Sequence, residues 1–360
     1  MEHRHPHGYR KGRGAASNPG CRYMATHVEA IDDGWGALDE TPPPLRTTVA
    51  TDAARRAITR NQSPDVPFDR SINPYRGCEH GCVYCFARPT HAYLDLSPGQ
   101  DFESRLFAKP NAPALLAEEL RHPAYRCRVM ALGTNTDPYQ PIERRYRITR
   151  GLLEVLDAFE HPVGIVTKSN LVTRDIDILA SMAARRLATV FVSVTTLDRA
   201  LARHLEPRAP TPERRLAAVR TLSAAGIPTG VMVAPVIPAL NDAEIESILA
   251  AAAEAGADSA SYVLLRLPLE VRDLFREWLA VHAPDRAERV MALVREMRGG
   301  RDYDPTWGRR MTGCGAHAEA IGDRFRLACR RLGLGRRDWT LDTTRFRPPP
   351  RPGDQLRLFE

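Results

Sequence analysis

The chain has 360 residues, 43% hydrophobic and 26% charged, with a net charge of +7 and a pI near 9.2. These proportions are ordinary for a globular protein and exclude wholesale disorder, while the basic excess favours a polyanionic partner such as nucleic acid. No uncharged apolar run approaches the roughly 18 residues a membrane span needs, and residues 1–20 lack an apolar signal core, so a cytoplasmic protein with no membrane partner is expected.

Residues 1–66 are predicted to form an irregular basic arm, carrying His3, His5 and His7, then Asp32-Asp33-Gly34-Trp35, then the stiff Thr41-Pro42-Pro43-Pro44. From residue 67 short apolar runs alternate with segments of helical period. Six strands are expected, at Ser71–Arg76, Arg128–Gly133, Val163–Thr167, Thr189–Val194, Thr229–Ile237 and Ser259–Leu265. Helices are expected between them, around Ile142 to Phe159, Thr211–Ala225 and Asp242–Ala255. Such alternation implies a parallel sheet, either an incomplete barrel or a doubly wound sheet over residues 67–300. In both, chemistry belongs at the C-terminal strand ends. Residues 301–345 read as an Arg-rich helical extension and 346–360 as a flexible Pro-rich tail.

The first strand leads into Gly77-Cys78-Glu79-His80-Gly81-Cys82-Val83-Tyr84-Cys85. Three of the seven cysteines fall within eight residues, too tight for a disulfide framework and suited to metal ligation. Three thiolates from one loop can hold three irons of a cubane and leave the fourth open to an exogenous ligand. Gly77 and Gly81 let the loop curl, and Tyr84 can shield the guest from water. A zinc knuckle would need His80 or His91 as its fourth ligand. An electron-transfer cluster would need a fourth cysteine, and none sits near this loop. The rival class is a non-catalytic nucleic-acid-binding module with a structural zinc or iron-sulfur site.

The Cys-x3-Cys-x2-Cys spacing with an aromatic residue before the last cysteine resembles the radical S-adenosylmethionine (SAM) superfamily. The resemblance implies a partial (β/α)6 TIM-like barrel, a 4Fe-4S cluster on Cys78, Cys82 and Cys85, and SAM chelated to the open iron. It further implies reductive cleavage of SAM to a 5'-deoxyadenosyl radical, with flavodoxin or ferredoxin as reductant. Gly133-Thr134-Asn135-Thr136-Asp137 follows the second strand, where the superfamily binds the methionine amino group, which points to Gly133, Asn135 and Thr136. Lys168 and Ser193, at the next strand ends, suit a bound carboxylate and resemble the SAM contacts of the spore photoproduct lyase branch. Arg208, in Glu206-Pro207-Arg208, and Val233, in an apolar strand end like that lining adenine, complete the implied SAM-binding set.

Photoproduct lyases use a thiol near the end of the second strand as hydrogen donor; the corresponding stretch here has Thr134, a poor donor. Cys127 is expected at the opposite end of that strand. Cys314, with His317 nearby, and Cys329 lie in the C-terminal extension and read as incidental thiols. The terminal Gln355-Leu356-Arg357-Leu358-Phe359 resembles the peptide by which bacterial DNA-processing enzymes dock on the sliding clamp, a mobile tether presenting apolar anchors.

Overall fold

Parallel strands buried on both faces must be apolar almost throughout, and the runs rich in Val, Ile and Leu meet that demand. The computed structural model describes residues 12–23, 34–35, 44–335 and 340–350. Its strands are β1 (Thr48–Thr51), β2 (Ile58–Arg60), β3 (Arg70–Ile72), β4 (Tyr75–Arg76), β5 (Arg105–Ala108), β6 (Met130–Leu132), β7 (Val163–Thr167), β8 (Ala188–Ser193), β9 (Thr229–Val236) and β10 (Ser259–Leu264). Among the described residues, seven form one sheet in the order β10-β9-β8-β7-β6-β3-β2. The six strands from β3 to β10 pair in parallel, and β2 adds an antiparallel edge. This is the partial (β/α)6 barrel the sequence implies. His3, His5, His7 and the clamp-like peptide Gln355 to Phe359 lie outside the described residues.

Three expectations need correction. The first strand is not continuous: it breaks after Ile72, and Tyr75–Arg76 pairs with β5 in a separate three-stranded sheet ordered β1-β5-β4. Pro74 has no N–H for a ladder, and the side chain of Asn73 turns to the backbone amide of Asn135 at 3.0 Å. The cysteine loop therefore hangs from the small sheet. Secondly, residues 1–66 are not wholly irregular, since β1 and β2 lie there and residues 13–18 are bonded into the body of the protein. Thirdly, the helix expected from Ile142 is two, Glu143–Tyr146 and Ile148–Ala158, divided by Arg147 at φ 51°. The carboxylate of Glu143 caps the second by accepting the Thr149 amide at 3.1 Å.

The Arg-rich extension forms the helix Ala316–Leu332, packed on the helix Ile245–Glu254. Ala318, Ile321, Phe325 and Ala328 recur at helical spacing and are its buried face. Gly333, at φ 72°, ends it in the left-handed turn that glycine accepts.

At the lower end of β7, His161 is fully buried between Tyr125 and Phe346. Its Nδ1 lies 3.0 Å from the Pro162 carbonyl, so the proton resides there, and Nε2 accepts from the Tyr125 hydroxyl at 2.7 Å. Burial pushes this imidazole down from 6.5 to about 4. The unfolded chain then gains a proton that the folded one refuses. Stability is full above about pH 6.5 and falls between 6.5 and 4, by up to about 1.4 kcal/mol per pH unit. His161→Gln is expected to flatten that slope in denaturant titrations at pH 7 and 5; an unaltered slope would show that His161 protonates without penalty in the fold.

Candidate active site at the strand ends

The cysteine loop turns tightly at Gly77 and Gly81, both with positive φ (73° and 68°). The Cys78 amide donates to the Phe102 carbonyl at 2.9 Å and the Val83 amide to the Leu205 carbonyl at 3.1 Å. Gln140 grips the loop from β6's side: its Nε2 donates to the Gly77 carbonyl at 3.1 Å and its Oε1 accepts the Glu79 amide at 2.9 Å. Cys78 and Cys82 are buried and Cys85 is half-buried. Burial pushes all three thiols up, helped at Cys78 by the charge of Asp137 and at Cys82 by that of Glu206, while Lys168 pulls Cys82 and Cys85 the other way.

Two carboxylates flank the thiols, Glu206 buried and Asp137 partly so. Asp137 accepts from the Thr167 hydroxyl and the Lys168 amide, each at 2.7 Å, and from the Tyr139 amide at 2.9 Å. His80 Nδ1 stands 3.3 Å from its Oδ2 but off the line of a hydrogen bond. Burial alone would raise the Asp137 carboxyl; the charge and contact of His80, with the donated hydrogen bonds, outweigh it and hold the group at about 2.

Glu206 accepts from the Tyr84 hydroxyl, from the Thr195 hydroxyl at 2.6 Å and from the Arg215 guanidinium. Lys168 Nζ lies 3.7 Å from the same carboxylate and 3.4 Å from the Ala234 carbonyl. Burial lowers the Lys168 ammonium, partly opposed by Cys82. Glu206 thus links the cysteine loop to the ends of β7 and β8, and Lys168 and Thr195 carry the connection on to the Ala234 carbonyl of β9.

A second buried pair clamps the loop from outside. Arg88, wholly buried, donates to the Cys82 carbonyl at 2.9 Å and the Gly81 carbonyl at 3.2 Å, and pairs with the carboxylate of Glu103. The other lone pairs of Glu103 accept the amides of Gly14 and Ala15, both at 2.9 Å. Gly14 is pressed so closely on the loop that a Cβ there would fall 1.7 Å from the Gly81 carbonyl oxygen.

Most residues singled out in the sequence gather here, though not in equal roles. Gly133 closes β6 at φ 90°, where a Cβ would fall 2.0 Å from the Val166 carbonyl oxygen. The amide of Asn135 is taken by Asn73 and the Thr136 hydroxyl by the Tyr75 carbonyl at 3.3 Å, which fastens the turn after β6 to the start of the cysteine loop. Asn135 also lines a cavity of about 440 Å³ with Asn73, Tyr93, Lys109 and Thr134. Ser193 ends β8, its carbonyl held by Arg215 at 3.2 Å, and Val233 is buried in the main core. Arg208 is bonded to the loop itself, its guanidinium 3.2 Å from Glu79 and its amide donating to the His80 carbonyl at 3.2 Å. Cys127 lines a hollow with Asn61 and Asp69 before β6 begins, at the far end from the cysteine loop as expected. Gln140, Arg88, Glu103 and Arg215 carry no local sequence signature; only the oddity of charged residues inside apolar surroundings could have marked them.

A cavity of about 980 Å³ opens beside the loop. Arg13, Arg199, Arg203, His204 and His282 line it. It gathers cations but none of the three thiols, and Glu206 is the one site residue that also lines it; the thiols come together with Lys168 and Asp137 at the strand ends, and the site is placed there. Among the described residues no three His, Cys, Asp or Glu side chains converge closely enough to share a single metal ion. A cubane, ligated at separate corners, does not ask for that convergence, and three soft donors in a buried loop with cations alongside fit such a group.

A barrel of this kind with such a cysteine loop defines a class, and comparison identifies it. The family model described as the radical SAM superfamily matches residues 72–252, and the chain belongs to that superfamily. Members use a 4Fe-4S cluster and SAM. An uncharacterized protein of Mycobacterium tuberculosis (strain ATCC 25618 / H37Rv) is 43% identical over 232 residues, covering 64% of this chain and 68% of that one. An uncharacterized protein of Methanocaldococcus jannaschii is 29% identical over 192 residues, covering 53% and 68%. Among solved structures, a spore photoproduct lyase variant superposes with a TM-score of 0.57 at 17% identity, covering 79% of this chain and 80% of the other. The same enzyme complexed with dinucleoside spore photoproduct gives 0.53 at 18%, with the same coverage. These likenesses show a shared fold. No helix among the described residues is long and apolar enough to cross a membrane.

Proposed function

We propose that Cys78, Cys82 and Cys85 hold a 4Fe-4S cluster with one open iron, that SAM binds across the neighbouring strand ends, and that the protein starts radical chemistry on a nucleic-acid substrate. The observation that carries this reading is the convergence of three thiols with Lys168, Asp137 and Glu206 at the ends of parallel strands. The cluster and SAM supply the reductive generation of a radical initiator. The protein's residues bind, orient and exclude water.

Lys168, a desolvated cation, is placed to hold the SAM carboxylate beside Ser193, in a setting where a charge-assisted hydrogen bond is at its strongest. The turn of Gly133, Asn135 and Thr136 is fixed by Asn73 and Tyr75, and its backbone faces the amino group in this reading. Val233 belongs to the apolar wall for adenine, and Arg208, through Glu79, braces the loop. Net charge and the dinucleoside bound by a protein of the same fold support a nucleic-acid substrate. A cytoplasmic location, an acidic reductant such as flavodoxin or ferredoxin, and clamp docking through Gln355 to Phe359 belong to the same reading.

The test is anaerobic reconstitution with iron and sulfide, followed by electron paramagnetic resonance of the reduced protein with and without SAM. A SAM-dependent change in the cluster signal, with 5'-deoxyadenosine formed, is expected. A colourless zinc protein, or a cluster indifferent to SAM, would overturn the reading in favour of a non-catalytic binding module.

A further inference from the structure

We propose that Phe86 and Arg266 form a recognition platform for a nucleobase at the mouth of the site. This rests on the reading of nucleic acid as substrate and names where its base is held. Phe86 directly follows the third cysteine and, at 45% exposure, is one of the few large apolar side chains left open to solvent. Arg266 lies two residues beyond β10, an edge strand of the seven-stranded sheet, whereas the loop that carries Phe86 follows β4 of the small sheet. Its guanidinium sits over the Phe86 ring, 4.8 Å from the centroid. The two therefore join the cysteine loop, next to Cys85, to the end of β10.

The contacts of Arg266 fall short of its needs. It has five N–H donors, yet its nearest acceptors are the Tyr303 hydroxyl at 3.4 Å and the Met311 sulfur at 3.6 Å, both weak. Its Nε is buried with no hydrogen-bond partner, and among the described residues no carboxylate lies within ion-pair distance. Arg298, wholly buried next to it, adds a second positive charge while bonding the Leu264 and Leu265 carbonyls. Asp304, whose charge reaches Arg298, accepts the Thr306 amide at 2.9 Å. A guanidinium left with unmet donors in a locally cationic setting calls for a strong acceptor from outside.

The occupant must offer a flat face to Phe86 and an acceptor-rich edge or a neighbouring phosphate to Arg266, and a nucleobase in an unpaired strand has both. The loop that supplies Tyr303 and Met311 also exposes Trp307 and Arg309, an aromatic beside a cation, as a continuing single strand would use. The platform holds the base by stacking and the strand by charge.

The test measures binding of a fluorescently labelled single-stranded oligodeoxynucleotide to the reconstituted protein by anisotropy. Phe86→Ala and Arg266→Gln should each weaken binding roughly tenfold, the loss of one stacked base. Phe86→Trp should stay within about twofold of the parent, because it keeps the aromatic face. Iron content of each variant verifies that the loop still loads. Parent binding with no loss in Phe86→Ala and Arg266→Gln would overturn the platform and leave the nucleic-acid reading standing. A parent protein that does not bind the oligonucleotide would overturn the nucleic-acid reading itself.

Discussion

Replacing Cys82 with alanine is expected to abolish bound iron, the visible absorption of the cluster and 5'-deoxyadenosine formation together. Cys82 is buried, its carbonyl is held by Arg88, and it lies among Lys168, Glu206 and Arg215. Removing one of three thiolates leaves two corners of a cubane held by protein, and the site has no other cysteine to offer. The same substitution at Cys127, Cys314 or Cys329 should leave iron content unchanged, since none of them lies at the loop. Iron and sulfide analysis of the four reconstituted variants settles the matter. Full iron in the Cys82 variant would show that the cluster is held elsewhere.

The second large effect is expected at Glu206. Glu206→Ala strips the partner from Arg215 and from Lys168 and frees the Tyr84 hydroxyl, all in buried surroundings. Breaking a buried pair by removing one member costs about 3–5 kcal/mol, because an uncompensated charge remains. SAM affinity should fall at least about tenfold as Lys168 and Tyr84 lose their fixed positions, which corresponds to roughly 1.4 kcal/mol. The double variant Glu206→Leu with Arg215→Met should recover most of the stability and none of the SAM affinity, since apolar replacement of a buried pair is often near neutral. Thermal unfolding and SAM titration of both variants separate the two roles. Unchanged SAM binding in a folded Glu206→Ala protein would reduce Glu206 to a structural residue.

Much of this architecture is legible in the sequence. The strands β7 to β10 show as apolar runs with polar ends, β9 and β10 each entered just after a glycine, Gly226 and Gly256, that closes the preceding helix, and the cysteine spacing marks the loop without reference to anything distant. What escapes such reading is non-local. Nothing around residue 103 says that Glu103 will meet Arg88 and Gly14, and nothing around Glu206 says that Tyr84, 122 residues earlier, will donate to it. The break after Ile72 is marked locally by Asn73-Pro74, but the partner that Tyr75–Arg76 takes instead, β5, lies about 30 residues on and leaves no local sign. Arg208 is assigned to SAM on family resemblance alone; that it pairs with Glu79 of the loop, more than a hundred residues earlier, is a non-local contact of the same kind.

The contact of Gly14 with Gly81 also bears on how short a functional version of this protein can be. A polypeptide initiated at Met24, or trimmed to it, would keep every strand, every cysteine of the loop and the whole matched family region. It would nonetheless lose the two amides that Glu103 accepts and the small residue that seals the back of the loop. The sealed side would open to water and dissolved oxygen, and the cluster would be exposed to oxidation from behind. Such a truncated protein would fold and colour under argon, then bleach in air faster than the full-length chain.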